Sequence, residues 1–252
     1  MKRADAAYLL AHPEAKAPAA ELRFAVGSPG SIPDFLEGGR ALADEIERAL
    51  GAVGSSPAGI REALDFGCGC GRLLIAARER WPHIHWHGCD IDQQVVAWCT
   101  ANLPEATAFV NDSLPPLPLA DGAVDLIWCG SVFTHLDEQR QDVWLRELCR
   151  VLRPSGWLLA TVLGQAFWGS LPSRTVRQIR AKGFLFAQTE PGGWVRPPWY
   201  QTAFHTQEYV TQHWSQFFEI CAQLPPVGRG QDLVVARRRA ASNDRLTSEP
   251  EA

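Results

Sequence analysis

A chain of 252 residues with 46% hydrophobic side chains can bury a full core, and its length suits one α/β domain with embellishments. The formal charge of −4 offers no global attraction to phosphate backbones or anionic lipid, so neither nucleic acid nor a membrane is an expected partner; oligomeric state is left open. The start, MKRADAAYLLAH, lacks the apolar core of a signal peptide, and no run nears the roughly eighteen apolar residues of a membrane span. Seven cysteines form an odd set, several in apolar patterns, so reduced thiols in a cytoplasmic protein are expected.

Residues 1–20, alanine-rich with Pro13 and Pro18, are expected to form a flexible arm ahead of a single domain over 21–239, with 240–252 a disordered tail. Phe35, Leu42, Ile46 and Leu50 recur at helical spacing and predict an amphipathic helix from Asp34 to Leu50. Arg61 to Asp65 reads as a buried strand closed by an acid; glycines at 67, 69 and 71 then let the backbone turn tightly before Arg72 opens a helix to Arg80. A second strand, His83 to Asp90, again ends in an acid. A helix from Asp92 to Asn102 and a short third strand, Ala108 to Asn111, follow, and the proline-rich Leu114–Leu119 cannot be a central strand.

Ala123 to Cys129 is an apolar run broken only by Asp125, as befits a strand buried on both faces. Thr134 and Asp137 read as a capping pair for the next helix, which Pro154-Ser155-Gly156 stops before a fifth strand, Trp157 to Leu163. Residues 164–205 carry Trp168, Trp194, Trp199 and Tyr200 among many glycines and prolines, an insertion folded over the sheet edge. The rhythm resumes with a helix from Thr206 to Phe218 and strands at Phe218–Gln223 and Gln231–Arg237. This alternation predicts an α/β fold with a doubly wound, mostly parallel, seven-stranded sheet.

The glycine loop implies a nucleotide-like cofactor. A dinucleotide fingerprint needs a glycine at position 72, where this chain has arginine, so the loop is GxGxG and not GxGxxG. Asp90 ends the second strand of a doubly wound fold, where a carboxylate meets ribose hydroxyls.

Asp65-x-Gly67-x-Gly69-x-Gly71, Asp90, Asn111-Asp112-Ser113, DLIWCGSVFTHL around the fourth strand and ELCRVLRPSGWLL into the fifth together resemble the class I S-adenosylmethionine-dependent methyltransferases, from Ile60 to the final strand. FLEGGRALADEIERAL, DFGCGCGR, FHTQEYV and QDLVVARR also resemble a bacterial subgroup acting on small molecules or glycans. The resemblance implies a Rossmann-like fold and S-adenosyl-L-methionine as cofactor. Its methionine end would meet Asp65, Gly67, Cys68, Gly69, Gly71, Arg72, Gly130 and Ser131, its ribose Asp90 and Ile91, and its adenine Asn111, Asp112, Ser113 and Leu114.

The expected reaction is in-line methyl transfer to a small-molecule or glycan acceptor, at oxygen. His135 and His205 are candidate bases for deprotonating an alcohol or phenol. Phe133, Trp168, Trp199 and Tyr200 are candidate walls of the acceptor pocket; equally, the insertion's rings could give it a small core of its own. Arg174, Arg177 and Arg180 read as a solvated helix side. The place after the fourth strand reads CGSVF instead of (Asn/Asp)-Pro-Pro-aromatic, which disfavours amino groups of nucleic-acid bases. No metal is expected: Cys68-x-Cys70 lies in a turn that points its thiols apart, and His83, His85 and His87 share a strand face without an identified carboxylate or cysteine partner. Alternatives are an NAD-dependent oxidoreductase and a non-catalytic cofactor-binding scaffold.

Overall fold

The computed structural model describes residues 2–25, 30–187, 201–226 and 230–240. Five strands run parallel: β1 (Glu62–Phe66), β2 (His85–Asp90), β3 (Thr107–Val110), β4 (Val124–Cys129) and β5 (Leu152–Val162). With β8 (Glu219–Leu224) and β9 (Asp232–Arg237) they make one seven-stranded sheet in the order β3-β2-β1-β4-β5-β9-β8, in which β9 is antiparallel to both neighbours. β4 is central and nearly all of it is buried, which explains an apolar run broken only by Asp125.

Helices α4 (Arg72–Arg80), α5 (Gln93–Asn102) and α6 (Glu138–Val151) connect the strands, and their apolar residues complete two buried clusters. Trp81, Trp86, Val95 and Leu159 belong to one; Phe66, Ile127, Trp144 and Leu148 to the other. Helix α3 (Ile32–Ala52) begins at a reciprocal capping box between Ser31 and Asp34 and buries Phe35, Ala43, Ile46 and Leu50. It crosses α4 very closely: a Cβ on Gly39 would lie 2.2 Å from the Arg72 carbonyl oxygen, so only glycine permits this approach. That contact seats α3 beside the glycine loop.

The amino-terminal segment, expected as a flexible arm, carries two short helices. Lys2–Ala11 forms α1 and Ala20–Ala25 forms α2, and Asp5 ties both to the body. Its carboxylate accepts from the guanidinium of Arg23 at 2.5 Å and from the Ile32 amide at 2.7 Å, while Arg23, 1% exposed, also donates to the Pro18 carbonyl. A buried arginine with these partners is expensive to release.

The segment after β5 forms a single 3₁₀ stretch (Gln165–Ser170), α7 (Ser173–Lys182) and an antiparallel pair, β6 (Phe184–Ala187) with β7 (Thr202–His205). Backbone bonds from His205 to the Leu163 carbonyl and from Ala203 to the Thr134 carbonyl fasten β7 over the carboxyl ends of β5 and β4. Trp194, Trp199, Tyr200 and the tail beyond 240 lie outside the described residues. Two further expectations change. The helix over Thr206–Phe218 starts as foreseen, with Thr206 as cap, but after Gln207–Tyr209 it widens into a π turn at Val210–Trp214, with Val210 and Trp214 both fully buried. Thr134 does not cap α6: Asp137 alone does, accepting from the Arg140 amide at 2.8 Å, and the Thr134 hydroxyl donates to the Ser131 carbonyl.

Candidate active site

The glycine turn follows directly from β1. Gly71 has φ of 73°, and a Cβ there would come within 2.8 Å of Leu103 and 3.0 Å of the Cys99 sulfur, so this position excludes other residues on both conformational and steric grounds. Cys68 and Cys70 are buried and point apart: the Cys70 thiol donates to the Leu22 carbonyl in α2, while Cys68 faces Cys99. Burial pushes Cys70 up to about 12, so these thiols are inert packing in a turn.

A cavity of about 210 Å³ opens above the carboxyl ends of β1, β4 and β5. Asp65, Gly67, Cys68, Arg72, Gly130 and Ser131 line it, so six residues singled out from the sequence converge on one space. Asp65 is 4% exposed, and burial raises its carboxyl to about 7; the nearby Arg72 charge opposes the rise and Asp90 adds to it. Asp90 stands one strand over. One of its oxygens accepts from the Gly69 amide at 2.9 Å and the other from the Asp92 amide at 3.0 Å, so it braces the glycine turn and the start of α5. Burial raises it too, although these amides pull the other way.

Ile91 and Leu114, which leave the adjacent ends of β2 and β3, are 47% and 48% exposed. Asn111 continues the β2–β3 ladder through its amide to the Asp90 carbonyl, and the Ser113 carbonyl accepts from the Trp144 indole. Residues 111–114 therefore belong to the same carboxyl edge as Asp90, outside the cavity walls.

Sequence reasoning missed one wall of the cavity. Glu45, Gly38 and Leu42 come from α3, Thr161 from β5 and Gln231 from the start of β9. Ser131, at φ of 61°, donates its amide to Thr161 Oγ1 at 2.7 Å and its hydroxyl to Gln231 Oε1 at 3.0 Å, and Thr161 donates to the same Gln231 oxygen at 2.7 Å. A non-glycine residue held left-handed by such bonds is typical of a working site. No local motif marks Gln231, because its partners lie on strands distant in sequence.

Three candidates fall elsewhere. Phe133 is fully buried, with its ring centroid 4.8 Å from that of Trp214, and is a core residue rather than a pocket wall. Trp168 packs with Leu163, Ile179 and Phe204, so its ring serves the insertion's own small core. His205 is 1% exposed; Gln141 gives both amide hydrogens to the Phe133 and Leu136 carbonyls, so its oxygen accepts from His205 Nε2 at 3.0 Å. Burial lowers His205 to about 3, which rules out a useful base at neutral pH. His135 lies in the turn after β4, half-buried, with Nδ1 2.9 Å from the Gln201 carbonyl. A carbonyl only accepts, so Nδ1 carries a proton and donates it there.

Residues 63–156 match the family of methyltransferase domains. Over 155 residues it is 33% identical to a malonyl-[acyl-carrier protein] O-methyltransferase from Methylococcus capsulatus, a match covering 58% of this chain and 54% of that protein. The chain thus spans about half the length of this curated relative. A U6 snRNA (guanine-N(2))-methyltransferase from Bos taurus is 29% identical over 126 residues, 47% of this chain and 23% of that one. Among solved structures, a SAM-dependent methyltransferase from Methanosarcina mazei superposes with a TM-score of 0.54 at 18% identity, covering 71% of this chain and 93% of that one. The fold is the Rossmann-like methyltransferase fold, with the domain's glycine turn, Asp65 and Asp90 at its carboxyl edge. Among the described residues, no helix is long and apolar enough to cross a membrane.

Proposed function

We propose that this protein is an S-adenosylmethionine-dependent methyltransferase that transfers a methyl group in line to a small-molecule or glycan acceptor, at oxygen. The observation that carries the reading is the cavity in which buried Asp65, the glycine turn and the strained Ser131 turn meet, with Asp90 on the next strand. These residues fit the cofactor. Asp65, raised by burial, is set to take an ammonium group such as that of the methionine end. The Asp90 oxygens accept the Gly69 and Asp92 amides, with the Ile91 amide also close, and their remaining lone-pair capacity can take a ribose hydroxyl. Exposed Ile91 and Leu114 provide apolar surface for a planar base. Bound there, the cofactor supplies a methyl group made electrophilic by the sulfonium.

The chain's own task is alignment and exclusion of water. The Ser131–Thr161–Gln231 bonds fix the turn after β4, and β7 lies over it, which makes residues 164–205 the proposed acceptor cap. His135, in the turn after β4, is the proposed base for a hydroxyl acceptor. An oxygen acceptor agrees with the name of the Methylococcus relative; the guanine-directed relative makes RNA the competing acceptor class.

Calorimetry with S-adenosylhomocysteine and with NAD tests the cofactor: binding of NAD alone would sink this reading. Radiolabelled methyl transfer to hydroxylated small molecules, glycans, an acyl-carrier-linked carboxylate and RNA tests the acceptor. Incorporation into RNA alone would replace the acceptor proposed here.

A further inference from the structure

At the amino ends of β1 and β2, the far end of the strands from Asp65 and Asp90, three metal-ligating side chains converge. Glu62 pairs in register with His85, so both project from one sheet face, and His87, two residues along β2, returns to it. Their ligand atoms all lie within 4.8 Å of one another. Glu62 Oε2 is 3.0 Å from His87 Nε2, and the two imidazoles meet edge to face with centroids 4.9 Å apart. The carboxylate missing from the local sequence pattern thus comes from the neighbouring strand. His83 takes no part: it precedes β2, and its Nε2 lies 3.3 Å from the Pro57 carbonyl.

We propose that Glu62, His85 and His87 form a mononuclear Zn²⁺ site with water at the fourth position. Two imidazoles and one carboxylate are a donor set that suits this ion, and a tetrahedral centre with one open position needs no more from the protein. Thr107 of β3, the in-register partner of His87, places its hydroxyl 3.0 Å from His85 Nε2. With His85 coordinating through Nδ1, its Nε2–H donates to this hydroxyl, a support that fixes ring orientation. His87 coordinates through Nε2, where the ion replaces the proton now facing Glu62. Its remaining ring proton then sits on Nδ1, buried without an acceptor, which keeps the affinity below that of a fully supported centre. The ion would clamp β1 to β2 at the edge remote from methyl transfer.

The test is calorimetric titration of tag-free, chelator-treated full-length protein with Zn²⁺, with Co²⁺ absorption as the readout of ligand geometry. One equivalent with micromolar affinity, a tetrahedral Co²⁺ spectrum and a raised melting temperature are expected. His85→Ala, at an exposed position, and Glu62→Gln should each weaken binding by more than about tenfold and remove the melting shift, with S-adenosylhomocysteine binding unchanged. Absence of stoichiometric binding would overturn the proposal. So would binding that persists unaltered in His85→Ala and Glu62→Gln, which would assign the ion to other groups, such as His213, whose Nε2 lies 2.6 Å from Asp142.

Discussion

At the amino end of the central strands, Asp125 accepts from the backbone amides of Arg61 and Glu62 at 2.9 and 3.0 Å and from Arg153 at 2.6 Å; at the carboxyl end, Asp65 sits buried in a cavity. Burial raises both acids, but the bonds to Asp125 outweigh it and hold that carboxyl below its ordinary range, whereas Asp65 stays near 7. Glu147 resembles Asp125: its pairing with Arg150 and the Leu117 amide overcomes burial. Asp90 resembles Asp65, raised despite its amide bonds. Acids whose partners are all supplied by the chain hold the fold together. Acids left high by burial are those a cationic or hydroxyl-bearing ligand can bring to full ionisation.

The contrast is broken most directly by deleting an acid of each kind. Glu147→Ala strands the Leu117 amide and Arg150 and should cost roughly 2–4 kcal/mol in a denaturant melt, with the affinity of the folded fraction for S-adenosylhomocysteine unchanged. A neutral effect on stability would remove Glu147 from the structural class. Asp90→Ala should instead lower the affinity of the folded protein by roughly 1.5–3 kcal/mol, besides the stability lost with its Gly69 and Asp92 amide bonds. Unchanged affinity in that variant would refute the ribose role.

Legibility in the sequence followed the same division. The strands, the connecting helices and the carboxyl-edge acids were readable because each rests on local signals: apolar runs, glycines at positive φ, an acid closing a strand. Residues placed by tertiary contacts were not. Thr161 and Gln231 reach the cavity only because β5 lies beside β4 and β9 beside β5, and Glu62 meets His87 only through strand pairing. Phe133 and His205, though close in sequence to the expected site, turn into the core, because apolar packing on Trp214 and the carboxamide of Gln141 claim them. The amino-terminal helices were invisible because one buried pair, Arg23 with Asp5, anchors a segment of otherwise weak pattern.

The finest test of the contrast is pH. The folded-state value of Asp65, about 7, lies above its unfolded value near 3.8, so the stability it contributes is full below about pH 4 and is lost as pH rises through 7. Asp125 and Glu147, held below their ordinary 3.8 and 4.5, contribute stability that is present above those values and lost as pH falls through the lowered ones. Cofactor binding should carry the opposite signature to Asp65's effect on stability, because an ammonium ligand selects the ionised carboxylate. Affinity for S-adenosylhomocysteine should rise by somewhat under about tenfold between roughly pH 6 and 7.5, since one unit of pKa corresponds to about 1.4 kcal/mol. Below pH 7 binding should release close to one proton, visible as a dependence of the calorimetric heat on the buffer's ionisation enthalpy. Asp65→Asn should abolish that dependence and flatten the stability profile from pH 4 to 7. If the wild-type protein binds with no proton release in that window, Asp65 is ionised before the ligand arrives, and the two ends of the sheet are alike in this respect.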